Sequence, residues 1–245
     1  MLSINRKREI VSLKQKKYRQ RYSQFLVEGE KSVIELCQSD FLIHEILITQ
    51  TVFDKIGNSL PASKVLIVNE KDMNQLSTLD TPAGIIAVSN FQEYSLDNII
   101  FKKRFVLLLD NINDPGNLGT IIRIADWYGI EGIVCSPTCV DQYNSKTILS
   151  SMGSFTRVKV VYESLLPIIT RYQIPSYACV MQGESIQNIT KPEEGIIIIG
   201  NESNGISKPI EDSASFKITI PKAGEAESLN AAIATAIVCH KFVFG

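Results

Sequence analysis

VLLLDNINDPGNLGTIIRIADWYGI, residues 106–130, holds an apolar run that ends at Asp110 and a loop of Asn, Asp, Pro and Gly. A stretch with helical spacing and one arginine, Arg123, follows. Asp114 can cap that helix, and Pro115 suits its first turn, where no amide donor is needed. Gly119 and Arg123 are four residues apart and share a helix face, so a small residue leaves room for a guanidinium to reach an anion. An Arg123–Asp126 ion pair is the competing reading. A buried strand entering a helix through a polar loop predicts the ligand-facing edge of a parallel sheet.

The same alternation runs on either side. From residue 105 onward, strands are predicted at 105–110, 132–136, 157–161, 176–181, 195–200 and 216–220. Helices are predicted at 115–128, 143–151, 162–172 and about 228–243. Strands alternating with helices imply a parallel sheet covered on both faces. Chemistry is then expected in the loops after Asp110, Ser136, Gly200 and Ile220. Upstream, strands at 24–29, 43–49, 64–68 and 84–91 alternate with helices at 30–40 and after 50 and 69, a small α/β unit. Residues 92–104 lose periodicity and end in a basic cluster, which places a linker there. The domains read as 1–91, a linker 92–104, and 105–245.

The chain has 245 residues, 44% hydrophobic and 21% charged, as in ordinary soluble proteins. No apolar run reaches membrane-spanning length, and the charged N-terminus lacks the apolar core of an export signal. Five cysteines without a CxxC pair read as reduced thiols of a cytoplasmic protein. Two distant histidines, His44 and His240, supply little for a metal site, and none is expected. The net charge of −1 hides an asymmetry. Residues 1–24 hold eight basic residues against Glu9 alone, so they carry +7 and the rest of the chain −8. This segment, with Tyr18 and Tyr22, reads either as a solvated face or as a grip on a phosphate backbone.

Two further loops add polar groups. GNESNGIS (200–207) has the glycine spacing of a phosphate loop, but Ile206 stands where the phosphate-binding lysine belongs. Its glycines imply either a tight turn or close backbone approach to a ligand. In IPKAGEAESLNAAIATAIVCHKF (220–242), Ser228 is the favoured cap; the Ser and Asn of Ser228-Leu229-Asn230 can simply cap the helix, or can present polar groups and free amides to a ligand. The dinucleotide fingerprint GxGxxG is missing, which argues against a nucleotide-cofactor metabolic enzyme.

Three spaced patterns, N-x-G-x-x-x-R-x-A in 117–125, I-I-G-x-E-x-x-G in 198–205 and I-P-x-A-G-x-x-x-S-L-N in 220–230, resemble the motifs of the SpoU (TrmH-type) RNA ribose methyltransferases, in the family's order. KTILSSMGSFTRVKV (146–160) resembles the stretch between the first two motifs. FLVEGEKSVIEL resembles the ribosomal-protein-like substrate-binding domain attached to many members. The resemblance implies an α/β-knot (trefoil) methyltransferase domain, a homodimer, S-adenosylmethionine as donor and a ribose 2′-hydroxyl of tRNA or rRNA as acceptor. It implies Gly200, Ile220, Leu229 and Thr138 as cofactor-binding positions. Arg123, Asn117, Glu202, Ser228 and Asn230 match the polar catalytic positions. In the family the equivalent of Arg123 is proposed as the base, yet a guanidinium rarely gives up its proton. Arg123 is therefore read as orienting the substrate phosphate and ribose, with a phosphate oxygen or water accepting the proton. Lys222 departs from the family's common Met. An RNA-binding protein that kept the fold but lost catalysis is the alternative; retention of Asn117, Arg123 and Ser228-Leu229-Asn230 speaks against it. With RNA as the implied partner, the basic N-terminal segment reads as an RNA grip.

Overall fold

The computed structural model describes residues 2–245. In chain order the elements begin with α1 (Ile4–Ser12), α2 (Lys16–Tyr22), β1 (Gln24–Glu28), α3 (Glu30–Cys37), β2 (Ile43–Ile48) and α4 (Gln50–Ile56). Then come β3 (Val65–Ile67), α5 (Glu70–Leu76), β4 (Ile85–Asn90), β5 (Phe105–Leu109), α6 (Pro115–Trp127) and β6 (Gly132–Cys135). Next are α7 (Ser145–Ser151), β7 (Lys159–Tyr162), α8 (Leu165–Tyr172) and β8 (Ser176–Ser185). The chain ends with β9 (Gly195–Ile199), α9 (Lys208–Ser213), β10 (Phe216–Thr219) and α10 (Ala231–Phe244). They fall into two compact units, one of residues up to Gln92 plus Asp141–Thr156, the other of Glu93–Val140 plus Arg157–Gly245.

In the first unit the sheet order is β1-β4-β2-β3, with β4 antiparallel to both β1 and β2, and β2 parallel to β3. Side chains alternate across the pleat. Leu26 of β1 joins Ile10, Leu13, Met73 and Leu76 in one apolar layer. Phe25, fully buried, lies on the opposite face against Tyr143 at 4.4 Å and Phe155 at 5.9 Å. The basic N-terminal segment is mostly helical here, in α1 and α2, and it divides. Arg6 pairs with Glu9 and Glu45, Lys7 with Asp72, and Lys14 donates to the Gln75 and Ser77 carbonyls. Arg19 is 3% exposed, bound to Asp141 at 2.7 Å and to the Leu13 and Lys14 carbonyls at 3.0 Å each. Half of the eight cations therefore hold this unit together rather than face solvent freely.

In the second unit six strands run parallel in the order β10-β8-β9-β5-β6-β7. β9 reads GIIII and is buried at every residue, as a strand covered on both faces must be. From β5 the chain moves outward through β6 and β7, and β9 pairs with the other edge of β5. The order reverses between β5 and β9, so the loops that follow these two strands diverge at a topological switch point. Helix α6 packs with α10, and α8 with α9. Ile99 and Phe101, before β5, are buried in this unit's core, and Phe101 stacks on Tyr172 at 3.7 Å.

Two local expectations change. The last helix starts at Ala231, and its cap is Asn230, not Ser228, because the Asn230 Oδ1 accepts from the Ala232 and Ile233 amides at 2.9 and 3.3 Å. Strand β8 runs to Ser185, beyond the predicted end at 181, and β10 pairs with it across a register shift between Lys217 and Ile218.

Candidate functional site

The site begins with a buried carboxylate. Asp110, directly after β5, is 6% exposed, and its Oδ2 accepts from the Ser207 amide at 2.7 Å. Asn201 donates from Nδ2 to the Asn111 carbonyl at 3.1 Å. These two bonds hold the loop after β9 against the loop after β5. Asp114 caps α6 by accepting from the Asn117 amide at 2.9 Å, with Pro115 in the first turn as the sequence predicts.

Asn117 sits at the junction of three loops. Its Nδ2 donates to Glu202 Oε1, and its Oδ1 accepts from Asn230 Nδ2 at 2.9 Å. Glu202 lies 85 residues and Asn230 113 residues away along the chain, so one amide side chain links the three sequence motifs. Asn230 is committed on both sides, since its oxygen caps α10 while its nitrogen binds Asn117. Ser228, released from the capping role, is exposed.

The loop 200–207 closes on itself. Asn201 and Gly205 exchange backbone bonds of 3.1 and 2.8 Å, and Asn201 Oδ1 accepts from the Ser203 and Asn204 amides. Gly205 has φ +67°, in the left-handed region that favours glycine. A Cβ on Gly200 would lie 2.2 Å from the Gly205 carbonyl carbon, so only glycine fits beneath the fold-back.

Between this loop and residues 219–229 lies a cavity of about 570 Å³, a size ordinary for small-molecule sites. Gly200, Glu202, Ile220, Lys222, Ser228 and Leu229 line it. Residues 221–230 are exposed beside it. Glu202, Glu211, Glu227 and Lys222 border it together with apolar Ile199 and Ile206, so charged groups and apolar surface face the same space. Lys217 accounts for a depressed Glu211 carboxyl through a 2.6 Å ion pair.

Asn117 and Asn230 stand beside this cavity, linked to its lining through Glu202, while Arg123 and Thr138 are not part of the lining. Thr138 is exposed, with its hydroxyl 3.0 Å from Ser136 Oγ. Arg123 is exposed on α6, whereas Gly119 on the same stretch is buried. Arg123 is not paired with Asp126, whose carboxylate instead takes Arg157 at 2.8 Å. Asp110 and Asn201 were not singled out from the sequence. Their signal is positional: each polar side chain directly follows, or lies one glycine beyond, a wholly apolar strand. Among the described residues no cluster of His, Cys, Asp and Glu could hold a metal ion, and no helix is long and apolar enough to cross a membrane.

A six-stranded parallel sheet whose switch-point loops bring Asn117 and Glu202 together, and join them to Asn230 after the edge strand β10, defines a ligand-binding α/β domain. The chain belongs to the SpoU rRNA Methylase family, whose model it matches over residues 104–240. Residues 5–87 match an MRM3-like substrate binding domain. The chain is 32% identical over 230 residues to the 23S rRNA (guanosine(2553)-2′-O)-methyltransferase RlmP of Bacillus subtilis, covering 92% of this chain and 90% of that protein. A TrmH-family structure from Porphyromonas gingivalis superposes with a TM-score of 0.87 at 32% identity, covering 99% of this chain and 98% of the other. An AdoMet-bound rRNA methyltransferase from Sinorhizobium meliloti also gives 0.87 at 27% identity, with 98% and 95% covered.

Proposed function

We propose that this protein transfers a methyl group from S-adenosylmethionine to a ribose 2′-hydroxyl of RNA, with ribosomal RNA the favoured substrate class. The observation that carries the reading is the Asn117 junction, which joins the three motif loops at the rim of one cavity. The names of the B. subtilis and S. meliloti relatives support the substrate class and the cofactor.

The cavity fits the cofactor chemically. Gly200, whose bare Cα lets the 200–207 loop fold back over it, lines the cavity with Ile220 and Leu229, and Glu202 and Glu227 place carboxylates at its edge for a cationic ligand. When bound, S-adenosylmethionine supplies a methyl group on a positively charged sulfur, already activated for displacement. The protein's task is then alignment, holding the acceptor oxygen in line at about 3–3.5 Å. In this reading Arg123 orients the RNA phosphate and ribose and polarises the hydroxyl. Asn117, Ser228 and Asn230 fix the geometry, Glu202 organises its loop, and a phosphate oxygen or water takes the proton. Thr138 serves as an outer cofactor contact. Residues 1–91 act as the RNA-binding domain and 105–245 as the methyltransferase domain, which carries the family's trefoil crossing and works as a homodimer.

The test is calorimetry with S-adenosylmethionine against NAD and ATP, followed by transfer of labelled methyl to total RNA and mapping of the modified position. Selective binding of S-adenosylmethionine and label on a ribose are expected; binding of neither donor nor RNA refutes the reading. Arg123→Ala is expected to keep cofactor affinity and lose transfer, and wild-type transfer would remove Arg123 from its role. Light scattering at twice the chain mass checks the dimer.

A further inference from the structure

Seven of the eight cations of the N-terminal segment fall into two sets, and the eighth, Arg8, is exposed on α1. Arg6, Lys7, Lys14 and Arg19 are committed to carboxylates or carbonyls of their own unit. Lys16, Lys17 and Arg21 are exposed on α2, and none has an ion pair among the described residues. The helix that carries them breaks local rules. It opens with two lysines, has no acidic residue in its first turn, and gains no side-chain cap from Gln15. Cations at that end oppose the helix dipole, and like charges repel.

What fixes α2 despite this is Arg19, whose guanidinium spans the end of α1 and Asp141. Ser23, in the left-handed conformation at φ 50°, ends the helix. Tyr18 and Tyr22 stack one turn apart, with centroids 6.4 Å apart and planes 16° from parallel. Lys17 stands 6.0 Å from the first ring and Arg21 5.7 Å from the second. A short helix fixed against its own electrostatics, with exposed charges beside half-buried rings, of which Tyr22 also packs on the core, has the marks of a functional site.

We propose that α2 is a docking platform for single-stranded RNA, on which Lys16, Lys17 and Arg21 neutralise phosphates and the Tyr18–Tyr22 pair offers a stacking edge for a base. Lys17 and Arg21 lie about 6 Å apart along the helix axis, one turn, which lets them serve neighbouring phosphates. The rings favour RNA over an acidic protein or a lipid surface, because a base gives them a flat partner and the other two do not. This inference rests on the reading of RNA as substrate and narrows it to one helix, with Lys17, Tyr18, Arg21 and Tyr22 on one face and Lys16 at its edge.

The test uses the full-length protein, a labelled single-stranded RNA and fluorescence anisotropy over a range of salt concentrations. K16E/K17E/R21E is expected to weaken binding at least tenfold and to lower the slope of log affinity against log salt by about 2, three contacts at roughly 0.7 each. Tyr18→Ala with Tyr22→Ala is expected to weaken binding at least about fivefold while leaving the slope unchanged. Affinity for S-adenosylmethionine, measured on the same samples, is expected to stay within twofold of wild type, because α2 belongs to the unit that does not hold the cavity. A triple variant with wild-type affinity and slope overturns the proposal, as does wild-type protein that binds phosphatidylglycerol vesicles more tightly than RNA. Loss of cofactor binding in the wild type would instead count against the methyltransferase reading and leave the α2 result to be judged by RNA binding alone.

Discussion

Replacing Gly200 by alanine isolates the fold-back that shapes the cavity. The added Cβ would sit 2.2 Å from the Gly205 carbonyl carbon, 2.4 Å from its oxygen and 2.4 Å from the Ile206 nitrogen. Relief to ordinary contact requires the opposing backbone to retreat by about 1 Å, the difference between 2.2 Å and a normal 3.4 Å. That backbone has little freedom. Gly205 is tied to Asn201 by two hydrogen bonds, Ile206 is buried in the core, and the Ser207 amide is held by Asp110. Overpacking costs roughly 1–3 kcal/mol, and a strained or broken backbone bond adds about 1 kcal/mol each. A loss of about 3 kcal/mol in urea unfolding is expected, together with at least tenfold weaker cofactor binding by calorimetry, since residues 200–206 line the cavity. Gly205→Ala is the internal comparison: its φ is +67° but nothing lies within 4 Å of the new Cβ. It should cost only the left-handed backbone penalty of about 1–2 kcal/mol. Gly200→Ala with wild-type stability and cofactor affinity would refute the reasoning.

Asn117→Ala removes both the donor to Glu202 and the acceptor from Asn230. It should lower methyl-transfer kcat at least tenfold while costing no more than about 2 kcal/mol of stability, two ordinary hydrogen bonds; an unchanged kcat would show that the junction is dispensable. Arg19→Met strands Asp141 and two carbonyls in a nearly closed site. Chemical unfolding should register about 3 kcal/mol, the low end for breaking a buried pair, and a loss under about 1 kcal/mol would contradict its anchoring role. A hydrogen bond from Lys217 holds the Glu211 carboxyl below its ordinary 4.5, so that group's contribution is present above about pH 4.5 and fades as pH falls through the depressed value. Lys217→Met should raise the Glu211 titration in NMR toward 4.5; an unmoved midpoint would dismiss the pair.

Much of the fold was legible because burial on both faces leaves a strong mark. GIIIIG and FVLLLD read as covered strands without any partner in view, and β9 and β5 lie side by side. Asp114-Pro115 announced the start of α6 because capping is local chemistry. The cap of α10 is not decided by local chemistry: Ser228 and Asn230 are both capable, and the choice falls to Asn230, whose amide nitrogen also binds Asn117. That second bond spans 113 residues and has no local trace. The grouping of α7 with β1 was equally silent, since Tyr143 and Phe155 look like any core aromatics until Phe25 is placed between them.

The charged segment shows most clearly where sequence runs out. Composition counts eight cations in residues 1–24 as equals, yet Arg19 is nearly sealed from solvent and Lys17 is open to it. The difference comes from partners far along the chain: Glu45 for Arg6, Asp72 for Lys7, Asp141 for Arg19. A carboxylate already placed by the fold cancels a cation's field as well as binding it, so those cations add little to attraction at a distance. The pull of the N-terminal segment on a polyanion at close range should therefore follow the uncommitted cations, not the formal +7 of residues 1–24. If Arg6→Gln reduced the salt dependence of RNA binding as much as Lys17→Gln does, this division of labour between anchoring and attracting charges would be wrong.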